Sequence, residues 1–332
     1  MTEIAKLMAM NEELDEIDRR IIGYLQADGR APFSTIAEVL HLPDRTVSRR
    51  GQELLSQGVI QVTGLIERGS LSRKEAMIVR VTCAPGANTI VATALANLPE
   101  TIFVYLTTGT NECITEIFGS ASLLSDILLK LIPGIPGVSA VSSYSCLKYY
   151  RTAAQWNPGI LTDEEREKIS MDRFPRPIKE IELLPDDQLI LETLSKNGRA
   201  TFDQISRACG LTEATARRKT TQLLESGALS IHAVVNPAVI GFPVECWMWI
   251  KCAPRDVSMI AEKLILDNHV RYLATISGDY QILFEVAMTS KKILNAYLES
   301  IGTVVEGITQ LDSYILIEAF KRSGRKTSSI DK

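Results

Sequence analysis

The chain repeats itself at a fixed offset of 169 residues, and a repeat of this length restricts the fold more than any single motif does. Residues 14–60 lie over 183–229 without a gap, and fifteen of those 47 positions are identical: Leu14/Leu183, Asp18/Asp187, Ile21/Ile190, Leu25/Leu194, Gly29/Gly198, Arg30/Arg199, Ala31/Ala200, Phe33/Phe202, Ile36/Ile205, Leu42/Leu211, Thr46/Thr215, Arg49/Arg218, Leu54/Leu223, Leu55/Leu224 and Gly58/Gly227. The offset carries Cys83-Ala84-Pro85 over Cys252-Ala253-Pro254 and Gly109 over Gly278; one inserted residue then sets Tyr144 over Tyr314. Solenoid units repeat every 20–50 residues or so. A unit this long is instead a two-domain protomer, duplicated and fused, so the chain is expected to hold within itself the partners that a homodimer would bring together.

The first half of each copy reads as helical. Leu14, Ile17, Ile21 and Leu25 recur at three- and four-residue spacing among Asp15, Asp18, Arg19 and Arg20, which predicts an amphipathic helix. Its counterpart runs from Leu183 to Lys196 through Leu189, Ile190 and Leu194. Both stop at one signal, Asp28-Gly29-Arg30 and Asn197-Gly198-Arg199, where the glycine is expected to supply a left-handed cap. Short second helices are expected over Phe33–Leu40 and Phe202–Cys209, started by Ser34 or Asp203. After the turns His41-Leu42-Pro43 and Gly210-Leu211-Thr212 come third helices, Asp44–Gln57 and Glu213–Ser226, closed by Gly58 and Gly227. Three short helices with a tight turn before the last make a helix-turn-helix unit.

The third helix carries the chemistry. Arg45, Arg49 and Arg50 lie in a stretch with no acid between Asp44 and Glu53, and Arg45 and Arg49 share a face. Thr46, Ser48 and Gln52 can hydrogen-bond phosphates or bases. The second copy offers Thr215, Arg217, Arg218, Lys219, Thr221 and Gln222, with Thr220 beside them. Leu54-Leu55 and Leu223-Leu224 anchor the backs of these helices. An apolar back and a front of Arg, Lys, Ser, Thr and Gln is what a helix needs to enter a major groove.

The order L-D-x-x-D-x-x-I-I-x-x-L-x-x-D-G-R-x-x-x-x-x-I-A over Leu14–Ala37, followed by Leu42, Val47, Arg50, Leu54 and Gly58-Val59-Ile60, resembles the leucine-responsive/asparagine-regulator (Lrp/AsnC) family of bacterial and archaeal transcription regulators. The second copy fits through Leu183, Asp187, Ile190, Leu194, Asn197-Gly198-Arg199, Leu211, Lys219, Leu223 and Gly227. The resemblance implies double-stranded DNA as a partner, an amino acid or related metabolite as effector, and self-association of fused chains. The chain departs from the family at Gly51 and Thr220, where an apolar residue is usual, and at Pro43, which replaces the cap residue that Thr212 keeps. The two reading heads are therefore expected to differ, and the DNA site to be an imperfect palindrome.

The second half of each copy alternates. Glu75–Cys83 and Val244–Cys252 read as strands, followed by helical patterns at Gly86–Leu98 and Arg255–Leu266. Strands at Thr101–Thr107 and Val270–Ile276 run through Gly-containing turns into Glu112–Phe118 and Gln281–Ala287. Second helices, Ser122–Leu131 and Lys291–Ser300, lead to last strands near Val138–Tyr149 and Gly307–Phe320. The order βαββαβ predicts a ferredoxin-like four-stranded sheet with two helices on one face, and matches the family's effector-binding and oligomerisation domain. Trp247 and Trp249 alternate on one strand, which suggests that the open sheet faces of the two copies pack together. The candidate effector turn is Gly278-Asp279-Tyr280-Gln281, similar to the family's Gly-Asp-Tyr-Asp loop; the first copy has Gly109-Thr110-Asn111-Glu112. Bare amides at such a turn can hold a carboxylate, and an acidic side chain can take an ammonium group.

The expected fold class is thus α+β: two winged-helix/helix-turn-helix domains, 14–61 and 183–230, and two ferredoxin-like domains, 75–152 and 244–321. Residues 153–182 form the linker and contain a short charged helix, Asp163–Ile169. The basic run Lys321-Arg322-Ser323-Gly324-Arg325-Lys326 is expected to be a frayed terminus.

Apolar content of 45% and charged content of 23% are ordinary for a soluble protein. No apolar run approaches the eighteen or so residues of a membrane span, and the first residues do not read as a signal peptide, so a cytoplasmic protein is expected. The six cysteines form no CxxC pair, so no metal site or disulfide framework is expected. A net charge of −4 argues against a chain coated for nucleic acid but permits a local basic face. No nucleophilic triad, phosphate loop or paired catalytic carboxylates stand out, so neither an enzyme nor a cofactor is expected. Two alternatives remain. One is an enzyme like the tandem sirohaem decarboxylases, which use His and Arg around a tetrapyrrole; the strands Phe103–Thr107 and Arg271–Thr275 hold no His-Asn-Tyr-x-Arg run. The other is a ligand-sensing oligomerisation module that has lost DNA binding.

Overall fold

The computed structural model describes residues 14–66, 74–109, 111–162, 164–165 and 182–327. In chain order the elements are α1 Glu16–Ala27, α2 Phe33–Leu40, α3 Asp44–Ser56, β1 Ile60–Ile66, β2 Glu75–Cys83, α4 Asn88–Asn97, β3 Thr101–Thr107, β4 Glu112–Gly119, α5 Ala121–Asp126, β5 Val138–Arg151, α6 Pro185–Lys196, α7 Phe202–Cys209, α8 Glu213–Glu225, β6 Leu229–Val235, β7 Val244–Cys252, α9 Val257–Leu264, β8 Val270–Ile276, β9 Ile282–Met288, α10 Lys291–Val304, β10 Ile308–Arg322 and β11 Arg325–Lys326. A π-helical turn, Ile127–Leu131, extends α5. No helix among the described residues is long and apolar enough to cross a membrane.

The elements sort into two compact units, each drawing on both copies. The described residues of Met1–Ser72 and Asn157–Gly241 form the first; those of Arg73–Trp156 and Phe242–Lys332 form the second.

In the first unit each copy contributes three helices and a strand. The apolar stripes seen in the sequence face inward: Ile21, Ile22, Leu25, Val47 and Leu54 in one copy, Ile190, Leu194, Ala216 and Leu223 in the other. The strand after each third helix does not fold back as a wing. Instead β1 pairs antiparallel with β6, from Ile60↔Val235 to Ile66↔Leu229, which places Thr63 opposite His232, its own counterpart at the 169-residue offset. The local twofold relation of the copies passes through this pair.

Two expectations about helix ends are corrected here. Gly29 and Gly198 are not left-handed caps, for neither has a positive φ; Gly58 and Gly227 do, at 70° and 74°. The first pair serves close approach. Gly29 N–H donates to Ile231 O (2.8 Å) and Gly198 N–H to Val62 O (2.9 Å). A Cβ on Gly29 would lie 2.7 Å from Val62, and one on Gly198 would lie 2.9 Å from Ile231. Nor do Ser34 and Asp203 start the second helices. Thr201 caps α7 and accepts from Gln204 N–H, whereas Pro32 precedes α2 with no side-chain cap.

The segment leading out of the first β-sheet half also packs in this unit. Leu161 is buried against Gly23, and Glu165 binds Arg20 and Tyr24. Apart from Glu164 and Glu165, the charged helix expected over Asp163–Ile169 lies outside the described residues, as does most of the linker.

In the second unit each copy follows the order β-α-β-β-α-β, with β5-β2-β4-β3 and β10-β7-β9-β8 as neighbours. The two sheets are not separate layers. The long strand β5 pairs with β2 through Ser145 and then with β8 from Cys146, while β10 pairs with β7 through Ile315 and then with β3 from Leu316. These crossings close one β-barrel. The aromatic faces are covered, as Trp247 and Trp249 suggested, but inside a barrel rather than between open sheets. Its lumen holds Ile78, Phe103, Tyr105, Ile114, Trp247, Trp249, Tyr272 and Leu283, and the helices bury their apolar sides in two separate cores outside it.

Candidate nucleic-acid interface and ligand turns

Recognition helices α3 and α8 occupy equivalent places in the first unit. On α3, Arg45, Arg49 and Gln52 are exposed and Thr46 and Ser48 half-buried. On α8, Arg217, Arg218, Thr221 and Gln222 are exposed and Thr215 half-buried. The exposed arginines are only lightly held. Arg49 pairs with Glu53 (2.7 Å), Arg217 with Glu213 (3.4 Å), and Arg218 donates to Gln222 (3.0 Å), all one turn along their own helix. Exposed pairs of this kind contribute little, so a phosphate can replace the partner.

Arg50 and Lys219 do not belong with this face. Arg50 turns inward and donates to Asp15 (2.8 Å) and Asp18 (2.9 Å) on the first helix. The bonds to these carboxylates hold its guanidinium above the usual arginine value. Lys219 does the same with Asp187 (3.0 Å) and Asp186 (3.7 Å). Their side chains are only 24% and 11% exposed, so these two basic groups brace α3 against α1 and α8 against α6.

The two heads differ as the sequence implied, for reasons now visible. Gly51 sits under the Phe33 ring, where a Cβ would come within 2.2 Å of it. Its counterpart Thr220 is fully buried, and its hydroxyl has no partner among the described residues. Thr212 caps α8 by accepting from Thr215 N–H (3.2 Å), while Pro43 gives α3 no side-chain cap.

In the second unit the two candidate ligand turns are bent by glycine: Gly278 has φ 106° and Gly109 φ 111°. Each lies against a tyrosine from the other copy, for a Cβ would come within 3.0 Å of the Tyr144 ring at Gly278 and of the Tyr314 ring at Gly109. Asp279 is exposed. Tyr280 and Gln281, by contrast, are tied into the fold. The Tyr280 hydroxyl donates to Asp312, and its ring meets Trp249 (5.4 Å) and Lys251 (5.0 Å). Gln281 donates to Gly278 O (3.2 Å) and accepts from Cys252 N–H (3.1 Å). In the first copy Asn111 is exposed with φ 55°, its carbonyl accepting from Cys83 N–H (2.9 Å). Thr110 lies outside the described residues. Of the expected ligand groups in the second copy, Gly278 and the Asp279 side chain are exposed, while the Gln281 N–H donates to Ile250 O (2.9 Å).

Sequence reasoning missed two polar sets in the barrel. Near the turns, Arg80 binds Glu112 (2.5 Å) and lies over the Trp249 and Tyr314 rings (5.1 and 5.2 Å). Deeper, Glu245 binds Arg322 through two bonds (2.7 and 2.5 Å) and Arg271 binds Glu285 (2.8 Å), all within a few per cent of full burial. Arg322 is therefore an interior residue, not part of a frayed tail; Gly324 N–H donates to Ile102 O (2.7 Å) just beyond it. Burial raises the Glu285 carboxyl well above the usual range: Arg271 opposes the rise and the Glu245 charge adds to it. Glu245 is likewise desolvated, but Arg322 outweighs this and holds it low. Glu116, the counterpart of Glu285, accepts instead from Tyr149 (2.8 Å) and Tyr272 (3.3 Å). The signal was available: Glu116 and Glu285 share the repeat offset, and Glu285 interrupts an otherwise apolar strand.

Comparison with known proteins bears on the two helix-turn-helix segments. A model of the AsnC-type helix-turn-helix domain matches residues 14–55, and one of a winged helix-turn-helix DNA-binding domain matches 187–229. The chain is 33% identical over 147 residues to the HTH-type transcriptional regulator FL11 of Pyrococcus horikoshii, an alignment covering 44% of this chain and 97% of that one. It is 28% identical over 137 residues to the regulator LrpA of the same organism, covering 41% and 96%. Among solved structures, the siroheme decarboxylase NirDL matches with a TM-score of 0.64 over 95% of this chain and 94% of its own, at 12% identity, a likeness of fold alone.

Proposed function

The chain belongs to the Lrp/AsnC family of transcription regulators, and from that premise we propose that it binds double-stranded DNA with two unequal reading heads and alters that binding when a small molecule occupies the barrel turns. One observation carries the reading: both copies build a helix-turn-helix whose last helix turns an exposed basic front outward, Arg45 and Arg49 in one and Arg217 and Arg218 in the other. Arg45 has Ala214 as counterpart, and Ser48 has Arg217. The half-sites therefore differ, which supports an imperfect palindrome.

The domains follow the same logic. The pairs 14–61 with 183–230 and 75–152 with 244–321 are each one ancestral domain in two versions, the second pair ferredoxin-like in strand order, joined by 153–182. The effector is an amino acid or a related metabolite. The turn amides at Gly278 suit its carboxylate and Asp279 its ammonium group.

Anisotropy titration on fragments of the gene's own upstream DNA, at two salt concentrations and with and without a pool of amino acids, tests this. Sequence-selective, salt-dependent binding that an amino acid shifts is the expected result. No binding at low salt would discard the proposal.

The end-to-end likeness to NirDL supports a second reading, a tetrapyrrole-handling enzyme. Against it, packed aromatic side chains fill the barrel lumen, and the one described histidine of the second unit, His269, is bound to Asp267 (2.9 Å). A Soret-band titration with an iron porphyrin separates the readings.

A further inference from the structure

One contact between the copies in the first unit lies neither in a core nor on a recognition helix. It lies at the two Gly-Arg turns. Arg30 donates through Nε to Gly198 O (2.8 Å) and through Nη2 to Ala200 O, both in the other copy. Arg199 reciprocates, donating through Nη1 to Gly29 O (2.8 Å) and Ala31 O (3.3 Å). The planar guanidinium fork fixes the direction of each bond as well as its length. The neighbouring glycines bring the backbones close enough for the exchange, and β1–β6 pairing continues it.

Each clamp arginine reaches a recognition helix through one phenylalanine. Arg199 lies over the Phe33 ring (4.9 Å), and Phe33 in turn fills the space left by Gly51 on α3. Arg30 lies over the Phe202 ring (5.5 Å), which also carries Arg217 of α8 (4.6 Å). Each reading head is thus seated on a ring whose other contact belongs to the opposite copy. A tilt of α3 or α8 therefore disturbs a ring that rests on the other copy's arginine, which is itself bonded to the backbone of the head's own copy.

We infer that Arg30 and Arg199 are positioning residues that fix the separation and angle of the two reading heads, so that the chain selects DNA by the spacing of two half-sites as well as by their bases. This rests on the DNA-binding reading above. Two heads on a loose connection would accept several spacings, because each would dock independently. Two heads seated in one clamp accept only the spacing that presents both helices to successive major grooves.

The test is selection from a random duplex pool with the full chain, then titration of the enriched duplex and of a version with an insert between its half-sites. The expected outcome is one dominant separation, and a loss of about ten-fold or more in affinity when about 5 bp, half a helical turn, is inserted. In R30K/R199K, which keeps both charges but loses the fork, the insertion penalty should shrink to about three-fold or less while salt-dependent binding persists. Circular dichroism and a cooperative melt establish that this variant is folded. Equal wild-type affinity for both spacings overturns the inference while leaving DNA binding intact. So does a folded R30K/R199K that keeps the full penalty. Absence of any enriched sequence, with no binding at low salt, removes the DNA-binding reading and the inference with it.

Discussion

Gly51 and Glu285 show how single residues behave against their local rules. Glycine inside a helix costs about 1 kcal/mol relative to alanine, which makes Gly51 look like a weakness in α3. The Phe33 ring occupies the place of its missing Cβ. G51A should therefore lower stability by about 1–3 kcal/mol through overpacking, in spite of the better helix former, as thermal melting would register. A higher melting temperature would contradict this packing account. The sequence could reveal the glycine but not the ring above it, because that packing depends on how α2 crosses α3. Glu285 is the second case. Burial makes its carboxyl hold a proton more tightly in the folded than in the unfolded chain. Such a group contributes stability fully at acidic pH and loses it as pH rises through its folded value, here from the ordinary carboxylate range towards neutrality. Subtracting the melting profile of E285Q from that of the wild type should give a difference that falls over this window. A difference independent of pH would show that the proton is not held there.

At the scale of elements, the repeat and its periodicities located most helices and strands to within a few residues; Glu75–Cys83, Thr101–Thr107, Val244–Cys252 and Val270–Ile276 match end for end. What periodicity could not supply was the partner of a strand. The winged-helix class expected for 14–61 and 183–230 assigns no partner to β1 or β6, and their pairing joins the two copies in a way that no local pattern encodes. The same limit applied to the basic residues of the recognition helices. Arg49 and Arg50 are neighbours in sequence, yet one faces outward and the other is held by Asp15 and Asp18. This separates their roles in a measurable way. R45A/R49A should reduce the slope of log affinity against log salt by about 0.9 for each phosphate that the variant no longer neutralises. R50A should leave the slope in place and lower the melting temperature, since it strands the carboxylates of Asp15, which caps α1, and of Asp18 within it. A reduced slope in R50A would return that residue to the DNA face.

At the scale of the molecule, duplication followed by fusion explains the main features together. Each unit is assembled from both copies, so neither half of the chain is a complete version of either unit. Fusion also lets counterparts diverge. Glu116 is held by tyrosines and Glu285 by an arginine; Arg45 and Arg217 place charge at different steps of their helices. A homodimer must repeat every such choice, whereas this chain makes each one separately for its two heads. The repeat made the pairing of copies legible, but the barrel was not, because β5 and β10 each change partner midway, at Cys146 and Leu316. If one chain reads DNA through both heads at once, both heads leave a footprint. Hydroxyl-radical footprinting on an enriched duplex tests this most directly. Two protected stretches of unequal strength, about one helical turn apart, are the expected result. A single protected stretch, or uniform weak protection along the duplex, would contradict it.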